Sequence, residues 1–375
     1  MSARTLADDG TLTTTTCADV IWVFRRRRRE WLEQWGRGET SSEFFYGLPT
    51  LRDRYRVAFV EDETRRTVAR PWYPIERLIA RRIGMGFALD LALRHLHTLN
   101  QARAVVSTVD TCGLPLALLK KLGVLRPPLI YISQGLSDRV AAYGAQRWLT
   151  RLYRRLLLGV DELVTLSAGA GAALAAWLGV PRERVRVVPF GIDGDFWRNT
   201  GPERRGPGEI LSVGSDDGRD YPTLLAAAAA CDLPVHVVTA LPIEVSQYPR
   251  VVRTTTHTST ELRDLYSAAR FTVIPLVDRS QPSGQSAALQ AMACGQAVVL
   301  TRTRGWWGEN RLVDGDNCVV VPPGDAGALG RAIRALWDDP AACARLGVAA
   351  RATVVEHFSE RRMATELAAL IEARL

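Results

Sequence analysis

Ser283, Gly284, Gln285 and Ser286 lie in the stretch Pro275–Thr301, PLVDRSQPSGQSAALQAMACGQAVVLT, and their chemistry depends on what flanks them. An apolar strand (Phe271–Pro275) runs into a polar loop, Asp278–Ser286. A helix over Ala287–Ala293, ended by Cys294-Gly295, and a second strand over Ala297–Leu300 follow. This order turns the amides of residues 283–286 and a helix N-terminus the same way. Such an end carries unpaired N–H groups and partial positive charge, so it suits a phosphate or a sugar hydroxyl. The competing reading is an ordinary βαβ unit whose glycine only permits a tight turn.

Other reactive residue types point elsewhere. Cys17, Cys112, Cys231, Cys294, Cys318 and Cys343 show no CxxC spacing, which fits small buried side chains in a reducing cytoplasm. His95 and His97 sit two apart, so a helix would aim them at different faces and they would not share a metal. Arg25–Arg29 is a run of five arginines, and a phosphate, nucleic-acid or anionic-lipid contact is one reading of it. The alternative is a solvated helix start with Trp31, Leu32 and Trp35 facing inward. No further basic cluster with interleaved aromatics supports nucleic-acid binding.

These residues need a scaffold, and 375 residues exceed one compact core, so two domains are expected. The chain is 47% hydrophobic and 23% charged, as in ordinary globular proteins. Its net charge of +8 comes mainly from arginine and favours anionic partners or a membrane surface. No apolar run reaches the ~18 residues that span a bilayer. The opening MSARTLADDGTLTTTTC lacks a signal-peptide pattern and reads as an unstructured tail, residues 1–17. Strands then alternate with helices: Ala18–Phe24, Tyr55–Glu61, Ala104–Val109, Pro128–Ser133, Asp161–Leu166 and Val185–Pro189 in the first half. After a polar linker, Asn199–Gly208, the alternation resumes with Glu209–Val213, Tyr221–Ala230 as a helix and Val235–Thr239. The chain closes on an amphipathic helix, His357–Leu375, with Met363, Leu367, Leu370 and Ile371 on one face. The expected fold is α/β, two doubly wound Rossmann-like domains facing across a cleft, spanning 18–198 and 199–355, with helix 356–375 packing back on the first. A two-lobed ligand-binding protein would share that outline.

Several second-half segments, in order, resemble the GT-B glycosyltransferases, and within them the GT4-like group of retaining enzymes. They are Val185–Trp197 (VRVVPFGIDGDFW), Ile210–Leu225 (ILSVGSDDGRDYPTLL), Glu261–Leu276 (ELRDLYSAARFTVIPL), Gln290–Leu300 (QAMACGQAVVL) and Gly305–Gly324. The first half matches only in overall pattern. The resemblance implies a nucleotide-sugar donor held by the second domain, an acceptor held by the first, no cofactor and no metal. On that basis Gly214 and Ser215 would approach the donor diphosphate, and Arg219 would stabilise it as it leaves. Ser283, Gly284, Gln285 and Ser286 would serve the sugar and phosphates, and Gln290 the nucleotide ribose. Thr239 and His257 would flank the nucleobase. Asp110, Gln134 and Asp138, near ends of first-domain strands, are the acceptor-side candidates, Asp110 and Gln134 with a catalytic role. The acceptor itself, a small natural product, lipid or glycan, has no readable motif.

Departures from the family pattern accompany the match. A glutamate expected eight positions before residue 290 is Pro282, and the ribose glutamate is Gln290. The arginine expected after Gly214 is Ser215, and a frequent histidine is Gln134. The arginine run stands where a glycine-rich loop is usual. These changes keep a non-catalytic nucleotide-sugar-binding protein on the same fold open as an alternative. Asp193-Gly194-Asp195 and Asp314-Gly315-Asp316 mimic a metal-binding Asp-x-Asp pattern but read as turns. The protein is expected to be cytoplasmic, with Arg25–Arg29 as the point for any peripheral membrane contact.

Overall fold

A computed structural model of the chain describes residues 3–6, 12–15, 18–62, 73–83, 85–136, 138–139, 147–201 and 208–375. The chain divides into two compact units. The first comprises residues 1–37, 44–189 and 363–375, and the second residues 38–43 and 190–362.

The first unit is built on eight strands: β1 (Ala3–Leu6), β2 (Leu12–Thr15), β3 (Val20–Phe24), β4 (Val57–Glu61), β5 (Ala104–Ser107), β6 (Leu129–Ser133), β7 (Glu162–Thr165) and β8 (Val185–Val187). Their order is β2-β1-β4-β3-β5-β6-β7-β8. From β4 to β8 the sheet is parallel, and of these strands all but β8 are buried along their length. β1 and β2 correct the expectation of an unstructured tail. They pair antiparallel with each other, and β1 pairs antiparallel with β4. The threonine-rich sequence there has the β-branched content that a sheet edge favours. Residues 7–11 and 16–17 lie outside the described residues.

The second unit carries β9 (Ile210–Val213), β10 (Val235–Val238), β11 (Val251–Thr254), β12 (Phe271–Ile274), β13 (Val298–Thr301) and β14 (Val319–Val321). Their order is β11-β10-β9-β12-β13-β14, all parallel. The order reverses between β9 and β12, and the loops leaving those strands flank the crevice where open α/β sheets take ligands. β11 is absent from the sequence reading, since Val252 is exposed and Arg253 and Thr254 are polar at this sheet edge.

Two boundaries differ from expectation. The second unit begins at Phe190 rather than after residue 198, because the aromatic pair Phe196 and Trp197 is buried there, Trp197 edge-on to Tyr266. Most of the expected linker, residues 202–207, lies outside the described residues. The expected C-terminal helix is one helix, Glu360–Glu372, three residues shorter at each end, and a further helix over Pro340–His357 precedes it. Between them the backbone bonds to Ile192, whose N–H donates to the Phe358 carbonyl at 2.7 Å and whose carbonyl accepts from Glu360 N–H at 2.9 Å. Met363, Leu367, Leu370 and Ile371 are all buried, and residues 363–375 belong to the first unit. Among the described residues, no helix is long and apolar enough to cross a membrane.

Candidate donor site

β9 ends at Val213, and Gly214 follows with φ +152°, a backbone angle that favours glycine. A side chain at Gly214 would overlap the Arg219 guanidinium, which lies flat against this residue. Asp216 anchors the guanidinium by accepting from its Nε at 2.9 Å. The same carboxylate accepts from Gly218 N–H at 3.1 Å and from the Ser283 hydroxyl at 2.6 Å. Burial alone would raise the Asp216 pKa. Arg219's charge and the bonds from Ser283 and Gly218 outweigh it and hold the carboxyl below its usual value.

The loop after β12 is laced to this turn. Val277 N–H donates to the Gly218 carbonyl at 2.9 Å, and Asp220 N–H to that of Pro275 at 3.1 Å. Arg279 pairs with Asp217 at 2.8 Å. Trp307 Nε1 donates to the Ser283 carbonyl at 3.3 Å, and the backbone of residues 280–281 packs against Gly305. The helix begins at Gln285, two residues earlier than the sequence suggests, because Gly284 takes the left-handed conformation as its N-cap (φ +69°). Ala288 N–H to Gly284 C=O, 2.9 Å, is the first intrahelical bond, so the amides of residues 285–287 have no partner within the helix.

The two loops thereby bring together the residues that the sequence places 65 positions apart. A Cβ on Gly284 would lie 3.1 Å from Arg219 Nη1. Arg219 is buried, its side chain 3% exposed, and Nη1 has no hydrogen-bond partner. An arginine cannot shed its charge, so an unmet guanidinium N–H beside a helix N-terminus is a cationic, donor-rich site for an anion.

The other expected donor residues divide. Ser215 is exposed, and its Oγ accepts from Ala240 N–H at 2.8 Å, which ties the loop after β9 to that after β10. Thr239 is fully buried, with Oγ1 accepting from Leu241 N–H at 3.1 Å. His257 Nε2 lies 2.8 Å from Thr254 Oγ1, which His236 Nε2 also reaches at 2.8 Å. Thr239 and His257 therefore hold their own loops. Gln290 is buried, with Nε2 donating to Glu43 Oε1 at 3.0 Å and Oε1 lying 3.5 Å from the Tyr266 hydroxyl.

On the first unit, the acceptor-side candidates Asp110 and Gln134 are bonded to neighbouring groups of their own loops. Asp110 is buried and accepts from the Tyr131 hydroxyl at 2.9 Å and from Gln134 N–H at 3.1 Å. Gln134 Nε2 donates to the Tyr46 hydroxyl and to the Thr108 carbonyl. Burial raises the Asp110 pKa, against the opposing hydrogen bonds from Ser133, Tyr131 and Gln134 N–H. The arginine run is also engaged. Arg28 is buried with its guanidinium over the Phe24 and Trp31 rings, Arg25 pairs with Asp62, and Arg29 with Glu33.

Asp193 and Asp314 are turn residues. Asp193 accepts from Ser42 N–H and Oγ and from Phe196 N–H, and Asp314 from Val320 N–H. Among the described residues, no group of three or more His, Cys, Asp or Glu could hold a metal ion. Burial pushes the Cys112, Cys294 and Cys318 thiols up to about 12, which makes them poor nucleophiles. Sequence reasoning missed Asp216 and Glu43. Asp216 was within reach, three residues before Arg219 in GSDDGR, whereas nothing local marks Glu43.

Residues 46–196 match the family described as "Glycosyltransferase Family 4", and residues 223–339 match "Glycosyl transferases group 1". A glycogen synthase of Mycobacterium tuberculosis is 30% identical over 254 residues, covering 64% of this chain and 58% of its own. An MMP alpha-(1->4)-mannosyltransferase of Mycolicibacterium hassiacum is 29% identical over 262 residues, covering 63% and 62%. The aligned regions thus span about three fifths of these relatives' lengths. Sucrose-phosphate synthase of Thermosynechococcus elongatus superposes with a TM-score of 0.71 at 17% identity, over 95% of this chain and 98% of that one. Anabaena HepE in complex with UDP-glucose gives 0.68 at 14%, over 94% and 99%. The chain belongs to the GT4-like group of GT-B fold glycosyltransferases.

Proposed function

We propose that the protein transfers a sugar from a nucleoside-diphosphate donor to a hydroxyl acceptor, with retention at the anomeric carbon. The observation that carries this is the buried, unmet Arg219 Nη1 beside Gly284 and the amides of residues 285–287. A diphosphate satisfies both at once, accepting two N–H bonds from the guanidinium and further ones from the helix end. In the transfer, the bond from the anomeric carbon to the diphosphate oxygen breaks and one to the acceptor oxygen forms. The acceptor's proton passes to the departing diphosphate. Charge grows on that diphosphate, so a fixed cation accelerates the step without an enzymatic nucleophile.

Two relatives support the donor class: the structural neighbour HepE holds UDP-glucose, and the M. hassiacum protein is named a mannosyltransferase. In this reading Asp110 and Gln134 shape the acceptor-side loop instead of meeting the acceptor as free groups. Arg25–Arg29 offers less to a membrane than its composition suggests, since Arg25, Arg28 and Arg29 among them have protein partners. The test is titration calorimetry with a panel of nucleoside diphosphates, followed by mass spectrometry of donor turnover. Binding that vanishes in Arg219→Ala, with turnover of a donor, is the expected result. Binding without turnover of any donor would instead favour the non-catalytic alternative suggested by Pro282 and Gln290. No binding at all ends both.

A further inference from the structure

The connections from β4 to β5, β5 to β6 and β6 to β7 all advance in one direction across the parallel part of the first sheet. Such crossovers are right-handed, so their helices share one face of that sheet. They are Tyr73–Ile83 and Leu89–Arg94, then Asp110–Lys121, then Arg147–Leu157, and each packs on the next. The last of them is apolar on two sides. Its inner face is complete, since Leu149, Tyr153, Leu156 and Leu157 are all buried. Its outer face carries Trp148, Arg151, Leu152 and Arg155, at the i, i+3, i+4, i+7 spacing of one helical stripe. All four are exposed, Trp148 by 54%.

The stripe continues beyond the helix. Leu158 is exposed at its end, and beside it lies the turn that closes helix Asp110–Lys121, where Leu122 (64%) and Val124 are exposed as well. The two turns are tied: Lys120 Nζ pairs with Asp161 at 3.0 Å, and a Cβ on Gly159 would lie 3.6 Å from Lys121 Cδ. The charge around these apolar groups has one sign. Residues 120–126 (KKLGVLR) and 147–160 (RWLTRLYRRLLLGV) hold no Asp or Glu. Lys121 and Arg126 are exposed, as are Arg151 and Arg155. The run Arg25–Arg29 differs, because the apolar residues Phe24 and Leu32 that flank it are buried.

We propose that this patch, centred on Trp148 and Leu152, rests on an anionic lipid bilayer. A helix of 11 residues cannot cross a bilayer, but it can lie along one. Tryptophan and leucine then sit at the boundary of headgroups and chains, while the arginine stems reach back to the lipid phosphates. Moving the exposed apolar surface out of water is favourable, and the cations add attraction to the negative leaflet. A nucleic acid would use the arginines and leave Trp148, Leu152, Leu158 and Leu122 in water, whereas a lipid surface uses both kinds of group. The patch belongs to the first unit and the donor site to the second, so neither reading depends on the other.

Flotation of the full chain with vesicles is the experiment. The chain should float with vesicles of equal parts phosphatidylcholine and phosphatidylglycerol, stay behind with phosphatidylcholine alone, and be released by high salt. Arg151→Gln together with Arg155→Gln should weaken binding about 25-fold, from about fivefold per cation at an anionic surface. Both side chains are exposed, so the melting temperature should not move. Arg26→Gln, an exposed member of the arginine run, should bind as the wild type does. Fluorescence reads the depth: phosphatidylcholine with brominated chains, mixed into the anionic vesicles, should quench the bound protein. Trp148→Phe should bind normally and lose that quenching. No flotation with anionic vesicles, full binding by the double variant, an equal loss in Arg26→Gln, or undiminished quenching in Trp148→Phe overturns the proposal. A dimer in solution undone by Leu152→Ser, without flotation, overturns it as well and assigns the patch to a second copy of the chain.

Discussion

The two switch points of the molecule, one in each sheet, differ in how their loops are bonded. In the first unit the order reverses between β3 and β5, and the loops after β5 and β6 bond to one another and to β3. Thr108 Oγ1 donates to the Val23 carbonyl at 3.0 Å, Gln134 bonds the Thr108 carbonyl, and Asp110 takes donors from Tyr131 and Gln134. In the second unit the reversal between β9 and β12 leaves Arg219 Nη1 without a hydrogen-bond partner, close to the helix start at Gly284. A satisfied loop can be rigid and shaped without a ligand. An unsatisfied buried donor costs roughly 1–3 kcal/mol until something accepts from it, so it marks where a ligand does the most. Both switch points keep a buried arginine with an unmet N–H, Arg28 after β3 and Arg219 after β9; Arg28 lies over the Phe24 and Trp31 rings, whereas Arg219 faces the loop at Gly284.

The comparison breaks most directly at Arg219. Arg219→Ala should reduce nucleoside-diphosphate affinity or turnover by about 10²–10³-fold, the scale of one lost charge-stabilising donor, with little change in melting temperature. Calorimetry beside thermal unfolding checks this, and a wild-type-like affinity would make the two switch points equivalent. Next comes Gly284→Ala. Its Cβ would meet Ile274 Cγ2 at 2.6 Å and the backbone sits at φ +69°, so a loss of about 1–3 kcal/mol is expected in denaturant unfolding, together with weaker binding.

Asp110→Asn probes the first unit and should cost about 1–2 kcal/mol of stability while leaving nucleoside-diphosphate affinity intact. Its pH dependence has a definite sign. Burial lifts the native pKa above the ordinary carboxylate value, so the folded state holds this proton more tightly than the unfolded chain. That contribution is fully present below the unfolded value and is lost as pH rises through the elevated native value. The stability gap between wild type and Asp110→Asn should therefore narrow with rising pH over that window, as melting temperatures in a buffer series would show. Smallest is Arg279→Ala. Its pair with Asp217 is exposed, 36% and 86%, so less than about 1 kcal/mol should be lost, and a larger effect would mean that this pair organises the donor loops.

Strand identity was legible wherever apolar runs were short and bounded. Phe271, Thr272, Val273 and Ile274 read as a buried strand, and they form β12. β11 was not, because an edge strand exposes one side and need not be apolar. The helix Pro340–His357 was equally absent from the sequence reading, which began the last helix at His357. In the candidate site, the glycine loop and the arginine were visible as residue types. Whether Ser215, Thr239 and His257 face a ligand or their own loops depended on partners that sequence does not name.

Local chemistry by itself determined that residues 283–286 open a helix after a strand, because alternation, glycine and the following apolar helix all act over a few residues. Tertiary structure alone decided that Arg219 lies against Gly214 and reaches Gly284, since the parallel β9–β12 pairing sets their loops side by side. It also decided that Asp110 is enclosed and that Glu43 stands against Gln290, 247 residues away in sequence. Burial and partnership are properties of packing, and packing joins segments whose separation along the chain carries no trace of their meeting.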